Sequence, residues 1–337
     1  VGEFDLIKRY FQRPVRRAAL GVGDDCALLQ TAADTQMAIS SDMLVQGRHF
    51  FADVDPYKLG HKALAVNLSD LAACAAQPRA FTLALALPHA DEAWLAAFSR
   101  GLLALAEHYD CELIGGDTTR GPLNICVTVF GEVPLRDDRS LALLRSGAQP
   151  GDDIYASGTL GDARLALEAL QDKWPVPANA LAFARDRLEL PSPRVALGLA
   201  LRGIASAAID LSDGLLGDLQ HILDSSGVGA TIDVDVCINL IATKDLCKSA
   251  GCQFLSNIPT QQWRHLVLSG GDDYELLFTA PVAQRQAVAA AALGSQTPVS
   301  RIGQIEAQPG LRLVDQHGQP QPHRYASFDH FAPRSTA

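Results

Sequence analysis

Where an apolar run ends, this chain repeatedly places acid. Gly23-Asp24-Asp25-Cys26-Ala27, Gly115-Gly116-Asp117-Thr118-Thr119-Arg120-Gly121 and Asp210-Leu211-Ser212-Asp213-Gly214 each follow a short hydrophobic stretch. Carboxylates crowded at strand ends repel one another. A fold that gathers them calls for divalent cations to neutralise them, and polyphosphate is the natural co-ligand of such cations. The pattern points to phosphoryl chemistry.

With 337 residues, 48% of them apolar, the chain is long enough to bury a sizeable core, and two domains are expected. The net charge of -10 supplies no basic stripe for a nucleic acid, so nucleic-acid binding is excluded. A small anion remains acceptable if metals and a few placed arginines bring the positive charge. The 7 cysteines are odd in number, scattered and without a C-x-x-C pair, as expected of reduced packing residues in a cytosolic protein. No apolar stretch approaches the roughly 18 to 20 residues of a membrane span, and the polar start Val1-Gly2-Glu3-Phe4-Asp5 is not a signal peptide. A cytoplasmic chain with no membrane association is expected.

Short apolar or β-branched runs at Met37 to Ser41, Phe81 to Leu87, Asn124 to Val133, Asp153 to Ser157, Ala207 to Leu211, Ala230 to Val236 and Glu275 to Ala280 predict strands. Asp55-Pro56 opens a helix that Pro78 would close, and Asp91 to Tyr109 and Ser192 to Arg202 carry helical start signals or spacing. Strands followed by helices give an α/β fold class. The turn-rich stretch from Arg136 to Asp152 is the expected hinge, with domains at 1–145 and 146–337. Asn67-Leu68-Ser69-Asp70 echoes Asp210-Leu211-Ser212-Asp213, and Gly115-Gly116-Asp117 echoes Gly270-Gly271-Asp272, but matches this short arise by chance.

The candidate ligands differ in how much each segment says. Asp25 sits beside Gly23, in a turn that suits either phosphate and metal or ordinary turn chemistry. Ser40-Ser41-Asp42 offers hard oxygens for Mg²⁺ or a simple cap, with Arg48 and His49 seven residues on. Asp70 lies on a helix so apolar that its carboxylate requires a partner, either a metal or a backbone amide. The loop of Gly115, Gly116, Asp117, Thr118, Thr119 and Arg120 combines close approach, carboxylate, hydroxyls and a guanidinium. Asp210, Ser212 and Asp213 stand where a strand becomes a helix, as caps or as a metal–phosphate site. Gly270-Gly271-Asp272-Asp273-Tyr274-Glu275 adds three acids, some of them solvated. No G-x-x-x-x-G-K-[ST] loop, kinase H-R-D or D-F-G set, or G-x-S-x-G elbow is present, so phosphates must be held mainly through metal ions.

In order and spacing, these segments resemble the thiamine-monophosphate kinase family, part of the ATP-binding superfamily that includes aminoimidazole ribonucleotide synthetase and selenophosphate synthetase. The motifs that carry the likeness are Gly2-Glu3-Phe4, the Asp25 turn, Ser41 to Phe50, Asn67 to Ala72, Gly115 to Gly121, Arg145-Ser146-Gly147, Asp210 to Leu215, Gly270 to Glu275 and Phe328-Asp329-His330-Phe331. The resemblance implies a two-domain α/β chain with the aminoimidazole ribonucleotide synthetase-like fold. It also implies a homodimer joined through a β-barrel-like interface of N-terminal domains, with ATP between the two halves of each chain. It implies Mg²⁺ ligands at Asp25, Ser40, Ser41, Asp42, Asp70, Asp117, Asp210 and Asp213, and nucleotide contacts at Gly116, Asp117, Arg145 and Ser212. Substrate contacts would be His49, Asp272 and Phe328. The family usually has Glu where Asp272 stands, and Trp or Tyr where Phe328 stands. The implied reaction is Mg-assisted transfer of the ATP γ-phosphoryl group to thiamine monophosphate, without an acid–base residue. Rival readings are a metal-dependent phosphohydrolase, a non-catalytic nucleotide sensor, and the superfamily's cyclases or selenium enzymes. The last lacks its reactive N-terminal cysteine, since the first cysteine is Cys26 inside the acidic turn.

Overall fold

The structure, a computed structural model, describes residues 3–173, 175–244 and 258–322. The chain divides into two compact units, Val1–Ala142 and Leu143–Ala337.

In the first unit, four long strands order as β1-β4-β2-β3: β1 (Thr35–Val45), β2 (Gln77–Leu87), β3 (Glu112–Arg120) and β4 (Asn124–Arg136). A two-residue β5 (Arg139–Ser140) folds back on β4. β4 runs antiparallel to both β1 and β2, while β2 and β3 are parallel and therefore need a crossover, which the Glu92–His108 helix supplies. The register puts Ser40, Asp42 and Leu44 on the same face as Val129, Val127 and Ile125 of β4 and Phe81, Leu83 and Leu85 of β2. The Pro56–Ala73 and Glu92–His108 helices bury their leucines and Phe98 in this core. Each helix starts on a capping aspartate: Asp55 accepts the Tyr57 N–H at 2.7 Å, and Asp91 accepts those of Ala93 and Trp94 at 2.9 and 3.1 Å. On the opposite face Ile39 and Met43 are 62% and 53% exposed. The sheet is open, with β1 and β3 at the ends of its strand order, and no closed barrel occurs among the described residues.

Two expectations are corrected here. The first helix ends at Ala73, not Pro78, because the chain turns through Ala75 in the left-handed region (φ 54°), and Pro78 lies inside β2 at a register shift. The segment expected as a Gly115–Gly121 loop is mostly strand β3, with Gly115, Gly116 and Asp117 opposite Thr82, Leu83 and Ala84 of β2.

The second unit carries a six-stranded sheet ordered β11-β8-β10-β6-β9-β7, built from β6 (Asp153–Ser157), β7 (Ala207–Asp210), β8 (Gly229–Asp233), β9 (Leu276–Ala280), β10 (Val299–Glu306) and β11 (Gly310–Val314). β6, β7 and β9 are buried at every position, so their sequences are mainly apolar and the polar residues they carry, Asp153, Ser157, Asp210 and Thr279, are enclosed. Ile154, Ile209 and Leu277 pack with Leu215 and Leu219 of the Leu215–Ser226 helix and with Leu266 of the Thr260–Leu268 helix. Asp153, fully buried, is held by both Arg285 nitrogens at 2.6 and 2.9 Å and by Arg301 at 3.3 Å.

Among the described residues no helix is long and apolar enough to cross a membrane. None of the described cysteines is in a disulfide; Cys111 and Cys237 are buried, and burial pushes the Cys111 thiol up to about 12, so it stays protonated. Cys26 is exposed, unlike the packing residue expected there; Cys247 and Cys252 lie outside the described residues.

The two helices of the first unit cross at glycines: a Cβ on Gly60 would lie 2.1 Å from the Phe98 carbonyl oxygen, and one on Gly101 would lie 1.9 Å from that of Tyr57. Gly101→Ala should cost about 1–3 kcal/mol of stability, read as a lower urea midpoint; an unchanged midpoint would mean the helices part at no cost. For Asp153, the Arg285 hydrogen bonds hold the carboxyl below its ordinary 3.8, against burial, which acts the other way. A depressed folded pKa stabilises above the unfolded value and is lost as acid protonates the group. Asp153→Asn should therefore lower stability by about 2 kcal/mol at pH 7, and the gap from the parent should close below about pH 4; a gap constant with pH would exclude the charge as its source.

Candidate active site

The first unit assembles hard oxygens where β1 meets the end of the Pro56–Ala73 helix. The Ser40 hydroxyl donates to Asp70 Oδ2 at 2.5 Å. One turn earlier on that helix, buried Asn67 accepts the Asp42 N–H at 2.9 Å and donates to the Ala63 carbonyl at 3.0 Å. Ser40, Asp42 and Asp70 are thereby fixed as a group, and Asn67 was not among the expected site residues. Its signal was present in the sequence, since an amide with both donor and acceptor was needed at a buried position between two acidic motifs. Alternation sends Ser41 to the other face, where its hydroxyl pairs with Thr128 Oγ1 at 2.9 Å and the Val127 carbonyl at 3.2 Å. It is not brought to the Ser40–Asp70 pair.

Gly116 (φ 147°) lies against β2 so closely that a Cβ would be 1.8 Å from the Leu83 carbonyl oxygen. Gly115 to Thr118 form one wall of a small cavity completed by Ile7, Phe11, Val22, Leu83 and Leu113. Val22, the residue before the acidic turn, and Asp117 thus line the same cavity. Asp25 itself is exposed, its N–H capped by Asp24 Oδ1 at 2.8 Å. The strap that carries the turn is anchored by Glu112, whose carboxylate accepts the N–H groups of Arg16, Arg17 and Ala18 at 2.8, 3.1 and 3.4 Å. Burial alone would raise Glu112, but those amides together hold it below the ordinary value. His49, in the turn after β1, accepts the Val45 N–H on Nδ1 at 2.9 Å, which assigns the proton of the neutral ring to Nε2.

In the second unit β7 ends on Asp210, buried, and the chain passes through Leu211 to Gly214 into the Leu215–Ser226 helix. Asp218 Oδ2 collects the N–H groups of Ser212, Asp213 and Gly214 at 3.0, 3.1 and 3.1 Å. Burial, and then the Asp213 charge, push Asp218 up to about 7 despite those amides. Asp218 was missed; an acid four residues after the glycine of a strand-to-helix turn was the available signal. The neighbouring loop is laced to this one: Asp272 N–H donates to the Ser212 carbonyl at 2.9 Å, Tyr274 N–H to that of Leu211 at 2.8 Å, and Leu211 N–H to that of Glu275 at 2.8 Å. Gly271, Asp272 and Tyr274 all adopt positive φ to make these turns.

Of the three acids here, two are not solvated. Asp273 is buried, accepts the Gly161 N–H at 2.9 Å, and is raised well above the ordinary range by burial. Glu275 is fully buried against Arg187 at 2.7 Å, Arg194 at 2.5 and 2.6 Å and the Ser157 hydroxyl at 2.6 Å. Asp272 is half-buried. Arg145 is exposed, with its carbonyl accepting from Ser226 Oγ at 3.3 Å. Phe328 lies outside the described residues.

Among the described residues no three His, Cys, Asp or Glu side chains are grouped as a complete metal cage. That donor set still fits Mg²⁺, which dehydrates reluctantly and takes one or two carboxylates together with water and phosphate oxygens. A hydroxyl beside a carboxylate, as at Ser40 and Asp70, supplies oxygen donors of that kind.

Comparison with known proteins gives the same outline. Residues 23–133 match the N-terminal domain, and residues 149–316 the C-terminal domain, of AIR synthase related proteins. The thiamine-monophosphate kinase of Salmonella typhimurium is 48% identical over 337 residues, covering 98% of each chain. The crystal structure of thiamine-monophosphate kinase from Stenotrophomonas maltophilia superposes with a TM-score of 0.80 at 42% identity, over 94% of this chain and 96% of that one. A structure of AaThiL complexed with AMPPCP and TMP gives 0.73 at 27% identity, over 90% and 89%. The chain belongs to the thiamine-monophosphate kinase family.

Proposed function

We infer that this chain transfers the γ-phosphoryl group of ATP to the phosphate of thiamine monophosphate, releasing thiamine diphosphate and ADP. The observation that carries this is end-to-end similarity to a thiamine-monophosphate kinase at 48% identity. A structural relative was captured with AMPPCP and TMP together.

Both reactants are anionic, so repulsion is the main barrier, and the acceptor phosphate oxygen is already deprotonated at neutral pH. The site therefore requires positioning and charge screening rather than a general base. Mg²⁺, when bound, would supply that screening, held in the first unit by Asp25, Ser40, Asp42, Asp70 and Asp117 and in the second by Asp210 and Asp213; the Ser41 hydroxyl, turned to the other face of β1, is left out of the expected set. Gly116, Asp117, Arg145 and Ser212 are assigned to the nucleotide. Gly116 is required by its close approach to Leu83 of β2, and that packing sets the course of the backbone that carries Asp117. His49, Asp272 and Phe328 are assigned to the thiamine substrate, with the His49 ring held in place by the Val45 N–H on Nδ1. Asp272 is one methylene shorter than the family's usual Glu, and Phe328 keeps an aromatic face without a polar tip. Residues 1–145 serve as the metal-binding and dimerising domain, and 146–337 as the second α/β domain. The exposed Ile39 and Met43 on the uncovered face of β1 support a homodimer formed through that sheet, completing a barrel-like interface. ATP as co-substrate supports a cytoplasmic location.

Purified protein incubated with ATP, Mg²⁺ and thiamine monophosphate should yield equal amounts of thiamine diphosphate and ADP, resolved by chromatography, and nothing when acceptor is omitted or EDTA is added. ADP without thiamine diphosphate would mean hydrolysis instead. Asp42→Asn and Asp210→Asn should each lower kcat/KM by about 100-fold or more with the melting transition retained; normal turnover in either variant would remove that residue from the metal set.

A further inference from the structure

A helix N-terminus that follows a strand and a glycine is ordinarily an anion site, because its first amides point outward with nothing to bind. Here that site is already filled from within. The N–H groups of Ser212, Asp213 and Gly214 all end on one Asp218 oxygen, and Asp218 is buried. The main-chain carbonyls of Leu211 and Ser212 are likewise spent on Tyr274 and Asp272. What the loop presents outward is the half-buried side chains of Ser212 and Asp213, with Asp210 at its base. A bare polyphosphate meeting this loop finds carboxylates where it would otherwise find amides.

We propose that Asp218 is a specificity-determining residue: by occupying the amide nest with an internal carboxylate, it makes the Asp210–Gly214 loop accept a nucleotide only as its metal complex and reject the free anion. The inference rests on the reading of the chain as an ATP-dependent kinase, and it has Asp218, whose Oδ2 is spent on three main-chain amides, act by turning away the wrong form of the ligand. The loop cannot relax to expose its amides while Asp218 holds all three. A Cβ on Gly214 would meet the Ser269 backbone at 2.8 Å and one on Gly271 the Ser212 carbonyl at 2.6 Å, so the surroundings are also closed to rearrangement.

The test is calorimetric titration of the full chain with ATP, once with excess Mg²⁺ and once with EDTA, for the parent, Asp218→Ala and Asp218→Asn, with circular dichroism to establish folding. The parent should bind at least about tenfold more tightly with Mg²⁺ than without. In Asp218→Ala the released amides should raise metal-free affinity about tenfold or more while the Mg²⁺ complex binds more weakly, so the ratio collapses. Asp218→Asn keeps an acceptor but drops the charge, and its ratio should narrow less. A ratio unchanged in folded Asp218→Ala, or in Asp218→Asn if the alanine variant does not fold, overturns the proposal while leaving the kinase reading intact. A parent that binds ATP under neither condition overturns the kinase reading, and this inference with it.

Discussion

Three consecutive amides converging on a single buried carboxylate oxygen set the shape of the acidic loop in the second unit. The first unit uses a related device, with the three amides shared between both oxygens of one carboxylate. Glu112 gathers the amides of Arg16, Arg17 and Ala18 and so fixes the strap that leads to the Asp25 turn. Asp218 gathers those of Ser212, Asp213 and Gly214. In both places an acid outside the expected ligand set orders the segment that carries the expected ligands. The physical need is common to both: acidic loops repel themselves, and unless the backbone is fixed by something stronger than side-chain contacts they would spread apart before any cation arrived. A carboxylate that accepts several amides is worth more than one neutral hydrogen bond, because each contact is charge-assisted.

The second requirement is close approach of backbones, and glycine meets it only where the geometry demands. At Gly116 the two parallel strands leave no space for a side chain, and at Gly60 and Gly101 two helices touch through their main chains. Both features bear on the candidate site. The helix crossing sets the height of the Pro56–Ala73 helix over the sheet, and that height is what lets Asp70 reach Ser40 and Asn67 reach the Asp42 amide.

Much of this was legible in the sequence. A strand stands at each of the seven expected places, because their apolar runs bury on one or both faces, but the one expected over Ala230 to Val236 ends at Asp233, whose carboxylate caps the short Val234–Cys237 helix. The two helices announced by Asp55-Pro56 and Asp91 also stand where their caps put them. β3 was hidden because its glycines and polar residues look like a turn; as an edge strand it has hydrogen bonds on one side only and tolerates a composition that a central strand would not. β11 is also at an edge, while β10, paired on both sides, was hidden because charged and polar residues interrupt its apolar ones. The site motifs were visible as types of residue, but their partition was not. Period 2 along β1 separates Ser41 from Ser40 and Asp42, and only the register with β4 shows which face each one takes.

Burial sorts the acids more sharply than sequence motif does. Gly270 to Glu275 offers three carboxylates in one short segment, yet Asp273 and Glu275 are enclosed and answered by an amide, a hydroxyl and two guanidiniums, while Asp272 keeps partial access to solvent. Removing water from a carboxylate is costly unless donors replace it, so an acid enclosed with its own donors is committed to the fold. Only an acid that retains solvent can exchange water for a cation and its phosphate at modest cost. By that criterion Asp42, Asp70, Asp213 and Asp272, all half-buried, have the environment a ligand-binding acid needs. Asp210 is the exception, being buried: it ends β7, directly before the loop that Asp218 fixes, and so puts a second carboxylate at the start of the segment that carries Asp213. The acids that build the fold and the acids that would bind the nucleotide are thus interleaved in sequence but separated by solvent access.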